Sequence, residues 1–155
     1  SAVSIKSDFE DLVQSLEISD NVVLWLFYIP LLFKRLSDFN DAKLVVEQGD
    51  VKSLCTFIPA KTHPYNTWLQ DTESKNMTKC IDNDVFRRQD MPPAWEHYHY
   101  VCCFKAAELP YLNNELLNTK TYPLFLSDSD ADNLIEIDTP EDLVRWKDHH
   151  SNLTK

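Results

Sequence analysis

The first half of the chain alternates between helical and strand-like patterns of apolar and polar residues. Within residues 8–18, apolar side chains recur at the i, i+3, i+4 and i+7 spacing of an amphipathic helix. Residues 22–29 are apolar on both faces, which is typical of a strand covered by helices on each side. Residues 37–48 again have helical spacing, with Ser37 as the expected cap, and residues 53–58 form a second apolar strand. The order of these patterns indicates an α/β sheet.

The second half predicts more strands than helices. Residues 99–104 and 121–126 are rich in aromatic and apolar side chains and are predicted to be strands. Residues 112–117 have a helical pattern, and Asp-rich residues 127–133 are expected to form a loop. Residues 134–137 alternate apolar and charged positions, which predicts a half-buried strand.

A strong helix-start signal follows this last predicted strand. Thr139 precedes Pro140, and Asp142 comes three residues after the threonine, which is the pattern of a capping box with proline at the first helical position. We therefore predict a terminal helix over 140–149. Together the patterns predict one α/β domain over 1–155, with a mixed sheet flanked by helices.

Composition excludes several classes of function. The chain has 155 residues and a single glycine, Gly49, so it contains no glycine-rich phosphate-binding loop. The net charge of −10 argues against nucleic acid and anionic membranes as partners. The longest apolar run, Val22–Phe33, contains Pro30 and is too short to span a bilayer. No stretch resembles a signal peptide, and the four cysteines suggest no disulfide framework, so we expect a cytoplasmic protein.

Two carboxylates mark a candidate metal site. Glu136 and Asp138 are two residues apart on the predicted strand, so they leave it on one side with Cα atoms roughly 6.6 Å apart. Such a pair can converge on a hard cation, most plausibly Mg²⁺. The same residues also fit a solvated strand end followed by a capped helix.

Adjacent arginines mark a candidate anion site. Arg87, Arg88 and Gln89 concentrate positive charge and an amide in an acidic chain. A guanidinium recognises phosphate or carboxylate through two parallel hydrogen bonds. The alternative is a surface ion pair with one of the many acids.

Histidines and cysteines lie close together in sequence between residues 97 and 103. On a regular strand His97, His99 and Cys103 would share a face, and Cys102 would point the other way. His99 and Cys103 would then lie roughly 13 Å apart, too far for a tetrahedral zinc ion. A zinc site is therefore not expected here.

Three motifs, in this order, resemble the C-terminal half of the acylneuraminate cytidylyltransferases, also called CMP-sialic acid synthetases. The resemblance covers roughly residues 20–147. The motifs are His63-Pro64-Tyr65, Arg87-Arg88-Gln89-Asp90-Met91-Pro92 and Ile135-Glu136-Ile137-Asp138-Thr139-Pro140-Glu141-Asp142-Leu143.

The resemblance implies a partial Rossmann-like nucleotidyltransferase fold and a reaction that joins CTP to a sugar acid with Mg²⁺. It implies that Arg87, Arg88 and Gln89 bind the sugar acid, and that Glu136 and Asp138 hold the metal. Arg88 and Asp138 would then be the catalytic residues. CTP and a sugar acid are the implied small-molecule partners, and a homodimer stays open.

The chain also departs from the family pattern. The family's glycine-rich N-terminal loop is absent, and Asn66 replaces a lysine expected after the first motif. Two hypotheses follow: a cytidylyltransferase or its sugar-acid-binding half, and a diverged non-catalytic binding or interaction domain that keeps the fold. In either case we expect the 155-residue chain to be inactive alone.

Overall fold

A computed structural model describes residues 4–153. Its helices are α1 Ile5–Ser15, α2 Leu36–Gln48, α3 Asp128–Ala131 and α4 Pro140–Leu153, with 3₁₀ turns at Pro64–Asn66, Arg88–Asp90 and Ala106–Tyr111. Its strands are β1 Val23–Leu26, β2 Ser53–Pro59, β3 Trp68–Gln70, β4 Met77–Lys79, β5 Trp95–Lys105 and β6 Tyr122–Phe125. Among the described residues, no helix has both the length and the apolar character needed to cross a membrane.

The main sheet is mixed, as predicted. Its strands lie in the order β1-β5-β2-β6, where β5 is antiparallel to both neighbours and β2 is parallel to β6. A separate antiparallel ribbon pairs β3 with β4. The parallel pair fits the long connection between β2 and β6. Strand β5 lies between β1 and β2 and is hydrogen-bonded to both.

The sheet separates two apolar layers. One layer packs under α2 and contains Leu31, Val46, Tyr100 and Cys103. The other contains Cys55, Cys102, Phe104 and Leu109, with Phe9 of α1 in edge-to-face contact with Phe104. Both sides of the sheet are therefore covered, which explains why β2 is an almost uninterrupted apolar run.

Residues 134–137 do not form the predicted strand. Leu31 and Glu136 make only an isolated antiparallel bridge, in which the Ile137 N–H donates to the Pro30 carbonyl at 3.0 Å. Proline has no N–H to extend the ladder, and the Leu31 N–H is already bonded to Tyr28. The segment with the alternating pattern therefore crosses the chain near Leu31 with a single backbone bridge and does not form a strand.

The helix predicted at 112–117 is also wrong. The Asn113 side-chain oxygen accepts the N–H groups of Glu115 and Leu117 at 2.9 and 3.0 Å, which ties the backbone into a loop. Leu116 takes a left-handed backbone conformation with φ 60°, although its side chain is buried. The helical conformation lies just before this segment, as the 3₁₀ turn Ala106–Tyr111.

Two further local predictions differ from the structure. Helix α2 begins at Leu36 with Arg35 as its cap, so Ser37 lies inside the helix rather than capping it. The Arg35 N–H instead donates to the buried Tyr100 hydroxyl at 2.8 Å. The acidic segment after β6 contains the short helix α3, because the Ser127 hydroxyl accepts the Asp130 N–H and caps it.

A bulge in β5 controls which side chains face each apolar layer. Cys55 pairs with Cys102, but the next residue of β2, Thr56, pairs with Tyr98. Residues 99–101 of β5 are therefore extra relative to β2. The Thr56 hydroxyl fills the gap, because it accepts the Val101 N–H at 3.1 Å and donates to the Val101 carbonyl at 3.3 Å. This odd number of extra residues reverses the inward and outward alternation beyond the bulge.

The terminal helix begins at Pro140, and its predicted cap is confirmed. The Thr139 hydroxyl accepts the Asp142 N–H at 3.2 Å, and the Asp142 carboxylate accepts the Thr139 N–H at 3.0 Å. We expect Thr139→Ala to lower the unfolding free energy by about 1 kcal/mol, because the substitution leaves an end-of-helix N–H without its partner. Chemical denaturation measures this change, with Thr72→Ala in an exposed turn as the control. Equal stability of the two variants would contradict the cap.

An ion-pair network connects α2 to α3. The Arg35 guanidinium contacts Asp38 at 2.9 Å and Asp130 at 2.8 Å, and the buried Tyr100 hydroxyl donates to Asp38 at 2.9 Å. The hydrogen bond from Arg35 lowers the pKa of Asp130. Because the folded pKa lies below the ordinary value of 3.8, the stabilisation is complete above that pH and is lost on further acidification.

We therefore expect the unfolding free energy to fall as the pH drops below about 4, with Asp130 contributing less than about 1 kcal/mol because the pair is partly exposed. Asp130→Asn should flatten this acid limb in denaturation curves recorded across that range. Asp132→Asn, an exposed neighbour, is the control. An acid limb of equal slope in both variants would contradict the role assigned to Asp130.

Candidate functional site

A cleft with cationic side chains lies where β2 ends and β5 begins. Pro59 and Trp95 are paired there, and the chain on either side closes around a space of about 530 Å³. Its polar lining includes Lys61, His63 and Arg88. A chain with a net charge of −10 thus places a lysine, an arginine and an imidazole around one opening.

His63 joins the first two sequence motifs. Its Nε2 lies 2.8 Å from the Pro92 carbonyl, and its Nδ1 lies 3.1 Å from the Tyr65 N–H. A carbonyl can only accept, so Nε2 carries the proton and Nδ1 accepts, which is the neutral tautomer. The imidazole therefore links the segment 63–65 to the segment that follows Arg88 through these two hydrogen bonds, which together form the His63 clasp.

The two arginines are in different situations. Arg87 Nε donates to the Asp90 carboxylate at 2.7 Å, so its guanidinium already has an acidic partner. Arg88 lines the cleft, and no carboxylate within residues 4–153 forms an ion pair with it. Gln89 is exposed on the same 3₁₀ turn but is not part of the cleft lining. Of the three predicted substrate-binding residues, Arg88 is the one placed to meet an anion in the cleft.

The acidic pair lies beside two tyrosines. Glu136 Oε1 accepts the Tyr98 hydroxyl at 2.5 Å. Burial, the hydrogen bond to Glu136 and its charge together raise the pKa of Tyr98. The charges of Glu136 and Asp138 both raise the pKa of Tyr28. The two carboxylates therefore act on the same tyrosines, and Asp138 remains exposed.

The cationic cleft lies beside the segment that carries Glu136 and Asp138. A second cavity of about 300 Å³ is lined by Tyr98, Ile135 and Arg145, and it shares Pro59 and Lys61 with the cationic cleft. Arg145 is held by Asp142 of the capping box at 3.1 Å. All three sequence motifs thus lie around the same end of β2, with Lys61 lining both cavities.

Sequence reasoning missed several residues of this region. Lys61 stands in a polar segment without a recognisable motif, and its only signal is its position directly after a buried strand. Tyr98 and Tyr28 were assigned to strands, and their contacts with the acidic pair depend on the chain crossing at Leu31 and Glu136. Asn66, which replaces an expected lysine, also lines the cationic cleft.

The arrangement places groups of the type that bind anions next to groups of the type that bind cations. Arg88 can hold a carboxylate or phosphate through two hydrogen bonds, with Lys61 adding positive charge. Glu136 and Asp138 are hard oxygen donors, as Mg²⁺ prefers.

No protein-family model matches the chain, and no curated protein matches it.

Proposed function

We propose that the chain is a cytidylyltransferase-like domain that binds a sugar acid of the sialic (nonulosonic) acid class in the cationic cleft. The observation that carries the proposal is Arg88, which lines the cleft without an ion-pair partner among residues 4–153. Its neighbour Arg87 is paired with Asp90. The two adjacent arginines share the same local sequence, so they differ in their surroundings in the folded chain. The resemblance of the three motifs supplies the class of ligand.

The size and chemistry of the cleft support this assignment. Small-molecule sites usually enclose about 300–1,000 Å³ with a few convergent polar groups, and this cleft falls within that range. In the proposal Arg88 holds the carboxylate of the sugar acid, Lys61 offsets the acidic field of the chain, and Trp95 offers an apolar surface to the sugar ring. The His63 clasp keeps the two walls of the cleft together.

The acidic pair is proposed as the Mg²⁺ site, with Glu136 and Asp138 as ligands. The Tyr98 hydroxyl donates to Glu136 and orients it. Asp138 lies one residue before Thr139, the cap of α4. A cation at this position would neutralise phosphate charge when a nucleotide is bound. The roles of Arg88 and Asp138 as catalytic residues, and CTP as co-substrate, belong to this same proposal.

A non-catalytic binding domain is the second candidate, and one observation favours it. The chain has a single glycine, so it contains no loop that could cradle the CTP phosphates with backbone N–H groups. The sugar-acid cleft does not depend on such a loop. The missing loop therefore counts against nucleotide transfer by these 155 residues but not against sugar-acid binding, which both candidates share.

Thermal unfolding with sialic acid and Mg²⁺, against matched salt, tests the proposal. We expect the acid at about 100 times its dissociation constant to stabilise the parent by about 2.7 kcal/mol, by mass action. Arg88→Ala should remove this shift, and Asp138→Asn should remove the part that depends on Mg²⁺. Arg87→Ala is the matched control, because Arg87 is paired with Asp90. A parent without a shift, or loss of the shift only in Arg87→Ala, would refute the proposed cleft.

A further inference from the structure

The bulge in β5 assembles a second cluster of potential ligands on the other side of the sheet from Tyr98 and Glu136. Within the bulge His99 turns to the face that carries Cys55 and Cys102, whereas Cys103 packs in the opposite apolar layer. One ligand atom from each of Cys55, His99 and Cys102 lies within 4.8 Å of the others. The face assignment expected for a regular strand is therefore wrong, because it placed His99 with Cys103.

The tautomer of His99 suits metal ligation. Its Nε2 lies 3.0 Å from the Glu115 carbonyl, which can only accept, so Nε2 is the protonated nitrogen. Nδ1 is then the nitrogen with a free lone pair. Histidines that bind metals almost always donate their other N–H to a carbonyl or carboxylate, which fixes the ring and its tautomer.

The loop that supplies this carbonyl is held in an unusual shape. Leu116, next to Glu115, has a left-handed backbone conformation with φ 60° and a buried side chain. The Glu115 carboxylate meanwhile contacts His97 Nε2 at 2.6 Å. One residue thus contacts both histidines, through its carbonyl and its carboxylate, and its N–H is bonded to the Asn113 side chain at 2.9 Å.

The ligand set is soft and shielded. Cys55 and Cys102 are 0% and 1% exposed, whereas His99 is half-buried. Two thiolates and one imidazole suit Zn²⁺, and their charge would be balanced by a divalent ion. In a tetrahedral zinc site the ligand atoms lie roughly 3.3–3.8 Å apart, given bonds of about 2.0–2.3 Å. Because the ligand atoms lie within 4.8 Å of one another, a contraction of at most about 1.5 Å would close the cluster around an ion.

We propose that Cys55, His99 and Cys102 form a binding site for a zinc-like divalent transition metal, with its fourth position left for a water molecule or an added ligand. The site is separate from the proposed Mg²⁺ and sugar-acid site, because its ligands face the opposite apolar layer. Its ligands come from β2, from the β5 bulge and from Cys102, which directly follows the bulge. A bound ion would thus fix the register of the two central strands.

The test uses Co²⁺ as a spectroscopic substitute for zinc. The reduced, chelator-treated chain should develop thiolate-to-cobalt charge-transfer absorption that saturates at one ion per chain and disappears when Zn²⁺ is added. This signal reports cysteine ligation only, so it is independent of carboxylate sites. His99→Gln should weaken binding at least tenfold, and Cys55→Ser and Cys102→Ser should abolish the signal.

The controls are the two remaining cysteines. Cys103→Ser, on the other face, and Cys80→Ser, exposed, should retain the signal. His99→Gln is decisive because its half-buried side chain can be replaced without opening the core, and circular dichroism verifies its fold. The proposal is overturned if the reduced parent gives no signal and its Cys55–Cys102 pair merely oxidises to a disulfide. It is equally overturned if His99→Gln binds Co²⁺ like the parent.

Discussion

Leu31→Ala should destabilise the domain by about 2–5 kcal/mol. The side chain is 1% exposed and packs in the apolar layer under α2. Its truncation removes buried methyl groups and leaves a cavity between the sheet and the crossing segment. The adjacent Leu32 is 49% exposed, so Leu32→Ala should cost less than about 0.5 kcal/mol.

Chemical denaturation of the two leucine variants measures the difference. The backbone bridge to Glu136 lies at Leu31, so loss of the leucine packing should loosen residues 134–138 before the sheet itself unfolds. Amide hydrogen exchange would then show faster exchange at Ile137, whose N–H bonds to Pro30. Similar stabilities of Leu31→Ala and Leu32→Ala would show that the crossing is not anchored through Leu31.

Thr56→Val should cost about 1–3 kcal/mol, although it preserves the volume of the side chain. The Thr56 hydroxyl is the partner of the buried Val101 N–H at 3.1 Å and donates to the Val101 carbonyl at 3.3 Å. Valine would leave both buried groups without this partner. Thr56→Ser keeps the hydroxyl and should retain most of the stability, losing only the contribution of one methyl group.

Denaturation curves of Thr56→Val and Thr56→Ser separate hydrogen bonding from packing. If the serine variant is as unstable as the valine variant, the methyl group rather than the hydroxyl stabilises the bulge. The valine variant should also weaken Co²⁺ binding at the proposed zinc site, because the bulge orients His99 towards the cysteines.

Local signals in the sequence predicted the parts of the fold that depend on neighbouring residues. The cap at Thr139 and the start of α4 at Pro140 each result from contacts within a few residues, and the apolar side chains of β2 are nearly consecutive in the sequence. The mixed α/β sheet was predicted from the same patterns. In contrast, the bulge at residues 99–101 depends on which strand lies beside β5, which no periodicity within β5 reveals.

The candidate site shows the same division. Arg88 and His63 could be proposed from their motifs, and the structure places both in one cleft. The sequence alone could not show which arginine pairs with Asp90, because Arg87 and Arg88 are three and two residues away from it. Residues 134–137 have the alternation of a strand, but their partner begins with Pro30, so only one bridge forms.

The most direct test of the sugar-acid cleft compares sialic acid with its methyl ester by isothermal titration calorimetry. The ester keeps the sugar but lacks the carboxylate that Arg88 is proposed to hold. We expect the parent to bind the acid and to bind the ester at least tenfold more weakly, and Arg88→Ala to bind both equally weakly. Equal affinity of the parent for acid and ester, or an unchanged affinity for the acid in Arg88→Ala, would contradict the proposed site.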